Sequence, residues 1–296
     1  MNTPPLHTPS APAWDGLPMP RRLWAIVAVA FGVSLSVIDG AIANVALPTI
    51  GRELGISEAD SIWIVNAYQL AIMVSLLSFS ALGDVVGYRK VYLGGLALFT
   101  LASVGCACSY SFATLVLTRV LQGFGAAAIT SVNTTLIRNI YPRAQLGRGM
   151  GINATVVAVS AVAGPTLAAA ILSVASWPWL FAVNIPVGVT AFVLSRRYLP
   201  QNPVVVRDHR FDWRDGVLNA LTFGLLIASI EGFSHGIDPR LIAFGVAALL
   251  LIGFFFIRRQ LHEPYPILPF DLLRIPIFSV SVLSLIHISE PTRRVV

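Results

Sequence analysis

The sequence is poor in charge. Aspartate, glutamate, lysine and arginine together make up 11% of its 296 residues, less than half of the roughly 25% usual in soluble globular domains. That leaves too little polar surface to cover a water-soluble particle. Cysteine is scarce: Cys106 and Cys108 are the two in the chain, which excludes a disulfide scaffold. Two positions apart on a helix, they point to different faces and read as small apolar fillers. Lysine is nearly missing, since nineteen of the twenty basic residues are arginine and Lys90 is the other. The five histidines show no metal-ligand spacing and there is no phosphate loop, so no metal, cofactor or ATP is expected. No nucleophile, base and orienting group recur at usable spacing, which argues against an enzyme. What the chain has in abundance is apolar residues, 56% of the total at a mean hydropathy of +0.77.

An apolar helix needs about 20 residues to cross the hydrocarbon core. By that measure spans are predicted near Leu23–Leu47, Ile62–Leu82, Val91–Cys108, Phe112–Ile137, Gly151–Val174, Trp179–Leu199, Gly216–Ile230 and Leu241–Ile257. A ninth begins at Ile275 and stops early. The fold class is therefore all-α integral membrane. Residues 1–20 hold six prolines and no apolar run, and read as a disordered tail.

The arginines orient the chain. With the N-terminus in the cytoplasm, Arg21, Arg22, Arg89, Lys90, Arg138, Arg143 and Arg148 fall inside, as do the five arginines from Arg196 to Arg214 and Arg258, Arg259 and Arg274. Only Arg52 and Arg240 fall outside. Such a bias is the positive-inside pattern, and a missed span would have scrambled it. The net charge of +6 is thus assigned to helix orientation and lipid headgroups, and no nucleic-acid partner is expected. The preference for arginine over lysine suits a GC-rich bacterial genome, which makes a bacterial plasma (inner) membrane the expected location.

Two full charges lie inside spans: Asp39 in the first and Arg119 in the fourth. At mid-membrane each costs about 2.5–3.5 kcal/mol on insertion scales, so such residues face a cavity or a partner. Asp39 lies about 12 Å from the outer end of its span and Arg119 about 10 Å from the outer end of its own, at 1.5 Å per residue. Matched depth lets them pair, directly or through water. Two readings follow: a proton carrier, Asp39, tuned by Arg119, or a static ion pair that fixes helix packing.

Other polar residues within spans are Asn44, Asn66, Tyr68, Gln69, Gln122, Asn133 and Asn153. Gln122 is three residues from Arg119 and shares its face, which makes it the best candidate for a substrate cavity. Each of the others reads more simply as an interhelical hydrogen bond.

Five stretches resemble the major facilitator superfamily, in its fourteen-span branch of drug:proton antiporters of the multidrug-resistance efflux type. Asp39-Gly-Ala-Ile-Ala-Asn-Val-Ala-Leu-Pro48 is similar to that branch's first-span pattern. Ser80-Ala-Leu-Gly-Asp-Val-Val-Gly-Tyr-Arg-Lys90 resembles the superfamily's loop after span two, with Ser80 in place of glycine and Val85 in place of a basic residue. Leu115-Val-Leu-Thr-Arg-Val-Leu-Gln-Gly-Phe-Gly-Ala-Ala127 fits the fourth-span pattern throughout. Ser160-Ala-Val-Ala-Gly-Pro-Thr-Leu-Ala-Ala169 resembles the antiporter motif of span five, with Gly164 and Pro165 matching and the flanking glycines replaced. Trp177-Pro-Trp-Leu-Phe-Ala-Val-Asn-Ile-Pro-Val-Gly188 is similar to the start of span six.

The resemblance implies a six-helix N-terminal bundle over 21–200, two inserted helices over 201–260, and the start of a C-terminal bundle over 261–282. It implies a secondary exporter of drug-like amphipathic molecules driven by protons, with Asp39 and Arg119 in proton coupling. Asp84, Gly87, Arg89 and Lys90 would form a gating loop, and Gly164 and Pro165 an antiporter kink. Asn44 and Gln122 are the candidate cavity residues. An exporter of one metabolite or antibiotic, an uptake permease and a non-transporting fragment are the competing readings. Only about fourteen residues follow Ile275 before Glu290, short of the roughly 20 a span needs. Ser284–Arg294 also resembles a peptide translated from sequencing adapter, so residues 283–296 are expected to be non-native. Without a second bundle the chain is expected not to transport by itself.

Overall fold

The computed structural model describes residues 15–201, 212–234 and 238–262, together with 275, 280 and 281. All regular elements among the described residues are helical. They fall into two units, divided between residues 211 and 212.

The first unit holds α1 (Arg21–Leu54), α2 (Glu58–Val86), α3 (Tyr88–Ala107), α4 (Phe112–Ile140), α5 (Leu146–Leu172), α6 (Pro178–Ala182) and α7 (Asn184–Tyr198). Local chemistry sets the boundaries. Ser57 caps α2 by accepting from the Asp60 amide at 3.1 Å. Ser111 caps α4 by accepting from the Thr114 amide at 3.3 Å, as N-cap hydroxyls do. Gly87 joins α2 to α3 at φ +105°, a backbone state other residues rarely adopt.

α4 is the central post, packed against α1, α2, α3 and α5. Small residues let it approach. A Cβ on Gly123 would stand 2.6 Å from the Tyr68 carbonyl oxygen of α2, and one on Gly125 2.6 Å from the Phe99 nitrogen of α3. In lipid, where apolar surface alone gives no drive to associate, such close contacts hold helices together. Two apolar clusters fill the bundle, one around Tyr92, Phe99 and Ile129 and one around Ile64, Leu115 and Phe181.

The second unit pairs α8 (Trp213–Ser234) with α9 (Pro239–Gln260). Facing positions run in opposite senses: Ser229 lies near Gly245, and Thr222 near Gly253. Arg259 of α9 closes the pair with salt bridges to Asp212 and Asp215.

Among the described residues seven helical segments are long and apolar enough to cross a membrane: α1 to α5, α6 with α7, and α9. The segment near Gly216–Ile230 is helical as well, within α8. One expectation needs correcting: residues 15–20 are not a free tail. Leu17 is 1% exposed, its amide donates to the Ile140 carbonyl at 2.9 Å, and Asp15 accepts from the Arg143 amide at 2.8 Å. One apolar side chain and one carboxylate anchor a segment whose composition alone reads as disordered. Residues 1–14 and 282–296, and most of the expected ninth span, lie outside the described residues.

Candidate functional site

The two intramembrane charges meet. Arg119 Nη1 lies 2.5 Å from Asp39 Oδ2, with both side chains at most 1% exposed. The same Nη1 donates to Gln122 Oε1 at 2.6 Å, and Arg119 Nε donates to the Ile64 carbonyl at 3.1 Å. Asp39 Oδ1 accepts from Gln122 Nε2 at 2.9 Å and from Asn184 Nδ2 at 2.6 Å. Gln122 Nε2 also donates to Ser103 Oγ at 3.0 Å. Side chains from α1, α3, α4 and α7 thus join one buried polar network, with α2 contributing a backbone carbonyl.

Burying a charge is costly unless it is paired and its remaining bonds are met. The carboxylate satisfies that condition with three donors. The guanidinium does so in part, because Arg119 Nη2 is buried with no hydrogen-bond partner among the described residues. Its face rests on aromatic rings instead, with Cζ 4.1 Å from the Tyr68 centroid and 5.6 Å from that of Phe181. Such contacts stabilise a desolvated cation.

Beside the network lies an open cavity of about 370 Å³, lined by Ser36, Gly40, Asn44, Tyr68, Gln69 and Thr130 among others. Asn44 is on its wall, with Nδ2 donating to the Gly40 carbonyl at 3.1 Å. Gln122 is not on that wall: all of its polar atoms turn inward to Asp39, Arg119 and Ser103. Asn133 and Asn153 bond to one another at 3.0 Å and tie α4 to α5.

The loop residues take separate places. Asp84 accepts from the Tyr88 hydroxyl. Arg89 donates to the Arg196 carbonyl, in the last turn of α7, where cations are favoured. Lys90 is exposed. In α5, Pro165 supplies no amide hydrogen to the helix ladder, and a Cβ on Gly164 would stand 2.5 Å from Ala41 Cβ of α1. One turn before, Ser160 Oγ donates to Ser34 Oγ at 2.9 Å. The pair therefore packs against the segment of α1 that carries Asp39.

Sequence reasoning missed three members. Asn184 is an isolated amide in the apolar run Ala182–Val187, a signal that was present in the sixth-span motif. Ser103 carried none. Cys106 is more than a filler, since its thiol donates to Thr118 Oγ1 at 3.3 Å and to Gln122 Oε1 at 3.4 Å.

Known proteins are similar to this chain in sequence. The profile of the Major Facilitator Superfamily matches residues 29–295. The uncharacterized transporter YebQ of Escherichia coli (strain K12) is 58% identical over 268 residues, 90% of this chain and 59% of YebQ. RibZ of Clostridioides difficile (strain 630), a riboflavin transporter by name, is 32% identical over 66% of this chain and 42% of its own. MdtD of Salmonella typhi, named for multidrug resistance, is 33% identical over 88% and 55%. The chain spans roughly half the length of these relatives. A solved bacterial homologue of the human lysosomal transporter Spinster, inward-facing and unoccupied, superposes with a TM-score of 0.54 at 17% identity, covering 79% of this chain and 59% of that one. With its multi-pass helices and a transporter family's profile along nearly its whole length, this chain belongs to the Major Facilitator Superfamily and is not an enzyme.

Proposed function

We propose that this chain forms the first bundle and the inserted helix pair of a proton-coupled exporter of drug-like amphipathic molecules in a bacterial inner membrane, with its N-terminus in the cytoplasm. The bundle runs over 21–200 and the inserted pair over 201–260, followed by the start of a second bundle over 261–282 and a foreign end over 283–296. The observation that supports the reading is the buried Asp39–Arg119 pair beside an open cavity. Ionisable residues within spans commonly mark proton or substrate paths.

In outline, a proton from outside neutralises Asp39 and frees Arg119, the cavity rearranges, and the substrate leaves. Return of the proton to the cytoplasm restores the pair and readies the cavity for loading. The loop at Asp84, Gly87, Arg89 and Lys90 holds the cytoplasmic ends of spans during that cycle, and Gly164 with Pro165 seals the face of α5. The relative named for multidrug resistance supports broad export. The riboflavin transporter favours a second reading, transport of one particular metabolite.

The test uses the full-length protein in proteoliposomes. Adding substrate is expected to release protons from wild type and not from Asp39→Asn. Full proton-coupled transport by Asp39→Asn would return the pair to a static packing role. Susceptibility profiles of an efflux-deficient host carrying the full gene separate the two substrate readings: many unrelated compounds for the first, one or a few for the second.

A further inference from the structure

One aromatic ring stands between the cavity and the ion pair. Tyr68 lines the cavity, and the guanidinium of Arg119 lies over its ring at 4.1 Å. The phenol is latched at its far end, with Oη donating to the Ser36 carbonyl at 2.9 Å, three residues before Asp39. Gly40 flanks the ring's edge, where a Cβ would stand in ordinary contact, 3.6 Å from Tyr68 Cε1. Asp39, Arg119 and Gln122 are buried, and none of them lines that cavity. Arg119 Nη2 has no hydrogen-bond partner among the described residues, so the guanidinium has donors to spare there, and the ring covers one of its faces.

We propose that Tyr68 is the positioning residue that gates proton exchange between Asp39 and the cavity. This rests on the proton-coupled reading above. While Asp39 is ionised, it and Gln122 hold Arg119 against the ring, and the ring keeps cavity water from the carboxylate. When a proton adds to an Asp39 oxygen, the carboxylate becomes a neutral acid and its pull on Arg119 falls. Arg119 then moves, its spare N–H groups find a polar partner from the cavity, and the phenol leaves the Ser36 carbonyl. The proton departs from the same oxygen later in the cycle, so none is gained or lost. The titratable or charged groups facing the pair are Tyr68 on α2, Cys106 on α3 and Arg119 on α4. α6 and α7 present Phe181 and Asn184, and α5 packs Gly164 against the Asp39 segment. Asp39 is the one carboxylate among the described residues of this network, and the proton is assigned to it.

The full-length protein is reconstituted in liposomes holding a pH-sensitive dye, and a pH gradient is imposed without substrate. Tyr68→Leu is expected to leak protons about tenfold faster than wild type, the effect of about 1.4 kcal/mol lost from a barrier. Tyr68→Phe keeps the ring and stays within about twofold of wild type. Tyr68→Met, flexible and close in volume, is a second ring-free variant and leaks like Tyr68→Leu. Adding Asp39→Asn to Tyr68→Leu returns the leak to about the wild-type rate, which damage to the bundle would not do. Wild-type tightness in both ring-free variants, a leak that survives Asp39→Asn, or an equal leak in Tyr68→Phe overturns the gate. Absence of substrate-driven proton release from wild type overturns the proton-coupled reading and takes the gate with it.

Discussion

Asn184, the first residue of α7, donates from Nδ2 to Oδ1 of Asp39 on α1 at 2.6 Å. The bond joins residues 145 positions apart and ties the sixth span to the carboxylate that pairs with Arg119. Asn184 is 2% exposed, so its amide has no water to fall back on. Phe181, three residues earlier, faces the Arg119 guanidinium, so one short stretch addresses both charges.

Removing that amide leaves Asp39 Oδ1 with Gln122 as its remaining donor. A hydrogen bond to a charged group contributes about 1.5–3 kcal/mol, so Asn184→Ala is expected to lower substrate-driven proton release roughly tenfold or more while the protein still inserts. Asn184→Asp is expected to be worse, because two carboxylates in contact cannot both ionise. Dye-based proton release from proteoliposomes measures both. Unchanged release from Asn184→Ala would remove the sixth span from the coupling network.

The Arg119–Asp39 pair is expected to show strong energetic coupling. Arg119→Ala strands a buried carboxylate at a cost of about 3–5 kcal/mol, and Asp39→Asn strands the guanidinium. With both changed, neither charge is left, so the double variant is expected to be more stable than the two single losses add up to. A double-mutant cycle on thermal unfolding of the full-length protein reads this directly, with a coupling of at least about 1 kcal/mol expected. Coupling near zero would mean the pair contributes nothing to packing. Arg119→Lys does not substitute, since an ammonium lacks the planar fork that reaches Ile64, Asp39 and Gln122 together.

Two glycines on neighbouring helices are expected to respond oppositely. A Cβ on Gly125 would meet the Phe99 backbone at 2.6 Å, whereas one on Gly94 has nothing within 4 Å. Gly125→Ala forces α3 and α4 apart, at about 1–3 kcal/mol for overpacking. Gly94→Ala fills open space on a helix and is expected to be neutral or to gain up to about 1 kcal/mol of helix propensity. Melting midpoints of the two variants in detergent give the comparison, and a fall for Gly94→Ala as large as for Gly125→Ala would contradict the packing.

The charges were legible in the sequence because an ion in hydrocarbon is conspicuous whatever it touches. Asp39 and Arg119 stand out by cost, and Gln122 follows by helical spacing. Asn184 did not stand out, since an amide near a span end is cheap and no periodicity links α7 to α1. Spacing along one helix relates Cys106 to Cys108, whereas its partners Thr118 and Gln122 lie on another. Leu17 was hidden by averaging, because six prolines set the character of residues 1–20 while the burial of Leu17 helps anchor residues 15–20. Spans come from composition over many residues; contacts between spans depend on single residues that composition does not distinguish.

The Gly164–Ala41 contact offers the sharpest test of how α5 bears on the charge site. A Cβ on Gly164 would stand 2.5 Å from Ala41 Cβ and 3.4 Å from the Ile38 carbonyl oxygen, so Gly164→Ala must push α1 away just where Asp39 sits between those two residues. Export is expected to fall at least tenfold as Asp39 shifts relative to Arg119. Ala41→Gly removes the methyl group that the new one strikes. If the steric account holds, the double variant Gly164→Ala with Ala41→Gly recovers most of the export, although Ala41→Gly alone weakens α1 by about 0.5–1 kcal/mol. Transport assays of the four proteins decide the matter. A double variant as impaired as Gly164→Ala would show that Gly164 acts through something other than α1.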